Sequence, residues 1–161
     1  MCILNIQIIC AGKLKENFWE DAVKEYTKRI SKFAKISVIE VPDEKIPNRL
    51  SEKEAKKIRE KEGEYILSKI KQGSYIIALC VESKQLSSER FAEKISDIMT
   101  SNSNIAFIIG GSIGLSEKVK EMADFRISFS EMTFPHQLMR VILTEQIYRA
   151  FKIMNKENYH K

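Results

Sequence analysis

The chain has 161 residues, of which 43% are hydrophobic and 30% charged, the balance of one soluble domain with a core of its own. Lys and Arg number 27 against 22 Asp and Glu, a formal charge of +5, which suits a polyanion such as RNA and is equally ordinary for a soluble protein. No apolar run has the length of a membrane span. Cys2, Cys10 and Cys80 lie in apolar runs without a CxxC pair, which argues against a disulfide framework or a metal site and for buried thiols in a reducing cytosol.

Strand and helix signals alternate along the chain. Ile3 to Ala11 is apolar and β-branched and stops at Gly12, so it reads as a buried first strand and not as a signal peptide, having no basic region before it. Trp19, Val23, Tyr26 and Ile30 then recur at helical spacing. Ile36 to Val41 is a second strand ended by Pro42, and a loop runs to Leu50. Ser51 and Glu54 fit a capping box that opens a charge-rich helix to about Ile70, expected to be a solvated helix with local ion pairs.

Ser74 to Val81 is a third strand. Ser87 or Ser88 caps the next helix, whose Phe91, Ile95 and Ile98 form one stripe. Ile105 to Ile109 is a fourth strand, Ser116 caps a short helix to about Ala123, and Phe125 to Phe129 is a fifth strand. Pro135 sits near the first turn of a last helix, where a missing amide costs nothing. The order predicts an α/β fold, one domain over residues 1–161, with a mostly parallel sheet covered by helices on both faces.

Open parallel sheets bind ligands beyond the carboxyl ends of their strands. Three ends draw attention: Leu79 to Glu82, Gly110 to Gly114, and Phe129 to Phe134. The glycines permit close approach of backbone to a ligand and equally fit a turn that needs positive φ; they form neither a GxGxxG fingerprint nor a Walker loop. Phe129, Met132 and Phe134 are large apolar groups in a loop, fitted to a packing partner or to a flat ring such as adenine.

The last helix carries apolar residues nearly all round, which predicts cover on most sides and a symmetric dimer. From Arg140 onward five cations face Glu145 and Glu157, a basic rim for phosphate. His136 and His160 are the two histidines. The ending Tyr159-His160-Lys161 has the chemistry to hold an unpaired base, against the plainer reading of a frayed tail.

Taken in order, several segments resemble the RlmH family of ribosomal RNA methyltransferases, in the SPOUT class. They are Gly12-Lys13-Leu14-Lys15, Val41-Pro42-Asp43-Glu44-Lys45, Lys61-Glu62-Gly63, Leu86-Ser87-Ser88-Glu89, Ile109-Gly110-Gly111-Ser112, Met132-Thr133-Phe134-Pro135-His136, Tyr148-Arg149-Ala150 and Tyr159-His160-Lys161. The resemblance implies a C-terminal trefoil knot. It also implies S-adenosylmethionine held in a bent form and a homodimer with its site at the subunit seam. The reaction it implies is methylation at N3 of a pseudouridine in 23S ribosomal RNA, on assembled 70S ribosomes.

Cofactor contacts would then fall on Leu79, Gly110, Phe129, Ser130, Glu131, Met132, Thr133 and Phe134, with Arg140, Tyr159 and His160 placing the substrate. On this analogy His160 is the first candidate for a general base and Tyr159 for stacking on the target base. Two other readings stand beside it: a Rossmann-like nucleotide-binding enzyme, disfavoured by the missing fingerprint, and a non-catalytic ribosome- or RNA-binding protein using its basic tail.

Overall fold

A computed structural model describes residues 3–159; Cys2, His160 and Lys161 lie outside them. Five strands form one sheet: β1 (Asn5–Ala11), β2 (Lys35–Val41), β3 (Tyr75–Leu79), β4 (Asn104–Ile109) and β5 (Phe125–Ile127). Their order across the sheet is β2-β1-β4-β3-β5, and every pairing is parallel. All five carboxyl ends therefore open on one edge. The α/β expectation holds in full parallel form.

The helices are α1 (Asn17–Ile30), α2 (Glu52–Lys69), α3 (Ser88–Met99), α4 (Glu117–Met122) and α5 (His136–Met154). Strand alternation assigns them to faces. Ile6, Ile8 and Cys10 of β1 join Ile105, Phe107 and Ile109 of β4 beneath α1, α3 and α5. Ile9 and Ala11 join Ala78 and Ile108 on the opposite face, beneath Ile66 of α2 and Val119 of α4. Central strands buried on both sides read as unbroken apolar runs, which is why β1, β3 and β4 stand out in the sequence.

The caps form where the hydroxyls predict them. Ser51 and Glu54 exchange hydrogen bonds in a complete capping box, and Ser87 and Ser116 accept from Arg90 N and Val119 N. Pro135 stands one residue before α5, as its N-cap. β1 begins at Asn5, after the start of its apolar run, and β3 and β5 stop before the ends of theirs. β3 ends at Leu79 because Cys80 and Ser83 close a turn, and β5 ends at Ile127 because Ser128 N turns to Lys84 O. Cys10 and Cys80 are free and buried, as their surroundings predicted. Among the described residues no helix is long and apolar enough to cross a membrane.

Helix α5 meets α1 and α3 along one face, where Leu143, Ile147, Ala150 and Phe151 are buried. Phe151 stacks on Phe33 with ring centroids 5.2 Å apart. Leu138, Val141 and Ile142 remain half-buried within one chain. Leu143 has no exposed surface. Leu143→Ala is expected to cost about 2–5 kcal/mol, read as a lower urea midpoint at unchanged slope.

Candidate functional site

A cleft of about 890 Å³ opens at the carboxyl edge of the sheet, over the ends of β3, β4 and β5. Three loops make it: Leu79–Glu82, Gly110–Leu115, and Ser128 to His136 with Met139 beyond. Its volume lies in the range of small-molecule and cofactor sites.

The first wall is backbone. Gly114 N donates to Gly111 O at 3.1 Å, closing a tight turn in which Gly114 has φ +84°. A Cβ on Gly110 would stand 2.9 Å from the carbonyl carbon of Gly114, so the turn closes only around a residue without a side chain. The glycine pair therefore meets the turn requirement and lines the cleft at once.

The second wall is the loop after β5. Ser128 Oγ donates to Ser130 O at 2.8 Å, and Met132 N donates to Ser130 Oγ at 3.0 Å. These local bonds curl the chain, leaving Met132 73% exposed on the cleft. Phe129 packs edge-on against Phe91, with centroids 6.0 Å apart, while also lining the cleft. Of the expected cofactor contacts, Leu79, Gly110, Phe129, Ser130, Met132, Thr133 and Phe134 line one space; the exposed Glu131 is not among the lining residues.

Of the residues expected to place the substrate, Arg140 and Tyr159 are not among those lining the cleft. Arg140 has no exposed surface and is absent from the cleft wall. Its guanidinium donates to Glu40 Oε1 at 2.8 Å, to Gly12 O at 2.6 Å and to Ala11 O at 3.3 Å. Within one chain, a guanidinium bonded to a carboxylate and two carbonyls has no exposed surface, and it joins α5 to the ends of β1 and β2. Tyr159 folds back on its own chain. Its hydroxyl donates to Glu145 Oε1 at 3.2 Å, and its ring lies edge-on to Tyr148 and under Arg149. Burial pushes its phenol up to about 12. The candidate base His160 lies outside the described residues.

Two residues gain weight that the sequence reading did not give them. His136, set aside as a lone histidine, lines the cleft at the first position of α5. Burial lowers its pKa first, Arg140 and Lys15 lower it further, and Asp43 opposes them. Its Nδ1 is sealed from solvent with no hydrogen-bond partner. The signal was present in Pro135-His136 at a helix start beside a strand end.

Glu62 sits on the helix read as solvated, yet it is 4% exposed. It accepts from Glu44 N at 3.1 Å, and its Oε2 lies 3.0 Å from where a Cβ on Gly111 would stand. Burial raises its pKa, and Asp43 and Glu44 add to the rise. Its place in a run of charge hid it, since helical periodicity marks a face by hydropathy and Glu62 disguises a buried one. Gly63 beside it packs against Ser116 and Val119, where any side chain would collide.

Residues 4–160 match the family model described as "Predicted SPOUT methyltransferase". The chain is 55% identical over 159 residues to the ribosomal RNA large subunit methyltransferase H of Clostridium botulinum, covering 98% of this chain and all of that one. It is 54% identical to the protein of that name from Clostridioides difficile, with the same coverage. Among solved structures it resembles a methylase family protein of Haemophilus influenzae, with TM-score 0.57 and 13% identity over 98% of this chain and 71% of that one. It also resembles a methyltransferase of Legionella pneumophila solved with the cofactor SAM, with TM-score 0.50 and 12% identity over 91% of this chain and 66% of that one. At such identities these two likenesses concern the fold.

Glu62 generates a prediction about pH. With a folded-state pKa above the unfolded one, it favours the fold below the unfolded value, and that contribution is lost as pH rises through the folded value. Glu62→Gln keeps an acceptor for Glu44 N and carries no charge. Its melting temperature relative to the parent protein is expected to rise as pH increases above the ordinary glutamate value of about 4.3. Parallel melting curves across that range would count against a buried acid at this position.

Proposed function

The chain belongs to the SPOUT methyltransferase family, and from that premise we propose that it transfers a methyl group from S-adenosylmethionine to ribosomal RNA of the large subunit. The observation that carries this reading is identity of 55% along the whole length to a ribosomal RNA large subunit methyltransferase, joined to a cleft built where a nucleoside cofactor fits.

The residues present suit that cofactor. Leu79, Leu115, Phe129, Met132 and Phe134 give apolar walls for a flat purine, and the Gly110–Gly114 turn leaves room for backbone to read its edge. When bound, S-adenosylmethionine supplies a sulfonium-activated methyl group, so the protein's tasks are to bind, orient and exclude water. Gly110 and Gly111 would bring main chain against the ligand. Ser130, bonded to its own loop, would hold Met132 and Thr133 at the rim.

The finer reading is N3 of a pseudouridine in 23S ribosomal RNA, presented by an assembled 70S ribosome. It is supported by the ordered set of segments that resemble the RlmH family. The half-buried outer side of α5, with Leu138, Val141 and Ile142, supports a homodimer with the cleft near its seam. A trefoil knot in the last third and a cytoplasmic location belong to the same proposal.

Calorimetry with S-adenosylmethionine, followed by mass spectrometry of ribosomal RNA from undermethylated 70S particles incubated with the protein, tests it. One cofactor site and a methyl group on one large-subunit pseudouridine are expected. Cofactor binding without methylation of any ribosomal particle would refute the substrate. Gly110→Ala places a methyl 2.9 Å from Gly114 backbone and must shift the turn. Its cofactor affinity is expected to fall at least about tenfold, or about 1.4 kcal/mol.

A further inference from the structure

The cleft carries few titratable side chains, and most are already engaged. Arg59 pairs with Glu52, and Lys120 bonds Glu82 at 2.7 Å and Glu117 at 3.2 Å. Lys120 holds Glu82 below the usual carboxylate range, and burial pushes the Cys80 thiol up, out of reach of a thiolate at neutral pH. His136 is different. It lines the cleft, and it stands with Asp43 across Gly12: His136 Cε1 and Asp43 Oδ2 lie 3.4 Å and 3.2 Å from where a Cβ on Gly12 would stand. Gly12 has φ +86°, and a side chain there would enter the gap between imidazole and carboxylate.

Three segments thus converge beside the cleft: the turn after β1, the loop after β2 and the start of α5. Each contributes one group that faces His136. Lys15 comes from the first, Asp43 from the second, and Arg140 from α5 itself. The cations and burial keep the imidazole neutral, and Asp43 stands ready to offset a charge on it. Nδ1 is sealed inward, so exchange with a ligand falls to Nε2.

We propose that His136, seated across Gly12 from Asp43 on the cleft wall, is the proton acceptor for the imide N–H of the target base. This rests on the methyl-transfer reading above. The ring nitrogen of a uracil is a weak nucleophile while it keeps its proton. As that proton passes to His136 Nε2, the nitrogen lone pair forms the new N–CH3 bond. The S–CH3 bond breaks with its electron pair remaining on sulfur, and the Asp43 carboxylate balances the imidazolium until water takes the proton.

The test has a readout apart from turnover. Proton NMR of the unliganded protein follows its histidine resonances with pH, and His136→Asn identifies the His136 signal by its loss. The His136 midpoint is expected below the ordinary histidine value of about 6.5, and Asp43→Asn is expected to lower it further. Calorimetry with S-adenosylhomocysteine is expected to give His136→Asn the affinity of the parent protein. Methylation of 70S particles is expected to fall at least about 100-fold, and the acidic limb of the parent pH–rate profile should move down in Asp43→Asn.

Near-parental turnover in His136→Asn, loss of its cofactor affinity in step with turnover, or an unmoved midpoint in Asp43→Asn would overturn the assignment. If His136→Asn does not fold, His136→Gln takes its place, and the titrations of the parent protein and of Asp43→Asn decide on their own. A parent protein that neither binds cofactor nor methylates fails the functional reading itself, an outcome separate from these.

Discussion

One buried guanidinium organises the carboxyl edge of this sheet. Arg140 rises from the second turn of α5 and is fully enclosed, with two strand-end carbonyls and the Glu40 carboxylate around it. The carbonyls of Ala11 and Gly12 lie where β1 stops, and Glu40 lies where β2 stops. A single planar fork thus fixes the start of α5 against two strands at once. Burying such a charge is expensive, and a pair of this kind is poor evidence for net stability. What it supplies is position: it sets where His136, one turn earlier, enters the cleft, and where the turn after β1 meets the loop after β2.

The opposite side of the cleft is set by absence of side chains. Gly110 approaches the Gly114 backbone too closely for a methyl group, and Gly111 approaches Glu62. Glu62 in turn takes the amide of Glu44, so α2, the loop after β2 and the glycine turn share one buried carboxyl group. The cleft is held open between two polar centres beneath its walls, Arg140 under the α5 side and Glu62 under the glycine side. Neither lines it. This division leaves much of the lining to backbone and apolar side chains, with His136 at the start of α5.

The order of elements was legible because each obeys a local rule. Unbroken apolar runs marked the doubly covered strands, and Ser51, Ser87 and Ser116 marked helix starts through their hydroxyls. The three cleft loops were legible because parallel strands must end together. The surroundings of Glu62, Arg140 and Tyr159 were not legible for a common reason. A charged or aromatic residue in a mixed run carries no local sign of which partner the fold will bring to it; Glu40 stands 100 positions from Arg140 in the chain. His136 was passed over because its weight comes from Gly12 and Asp43, neither of which a helix-start motif contains.

The same geometry explains why one helix carries so many roles. The inner face of α5 is bound by Leu143, Ile147 and Phe151 to the sheet and to α1 and α3, so the helix behaves as part of the core. Its first turn brings His136 to the cleft, and its second locks that turn through Arg140. Its third and fourth turns hold Glu145, Tyr148 and Arg149 around Tyr159, so that tyrosine is anchored by residues of the same helix. A displacement along the axis of α5 would move His136 and Tyr159 together, because both are held by the one helix.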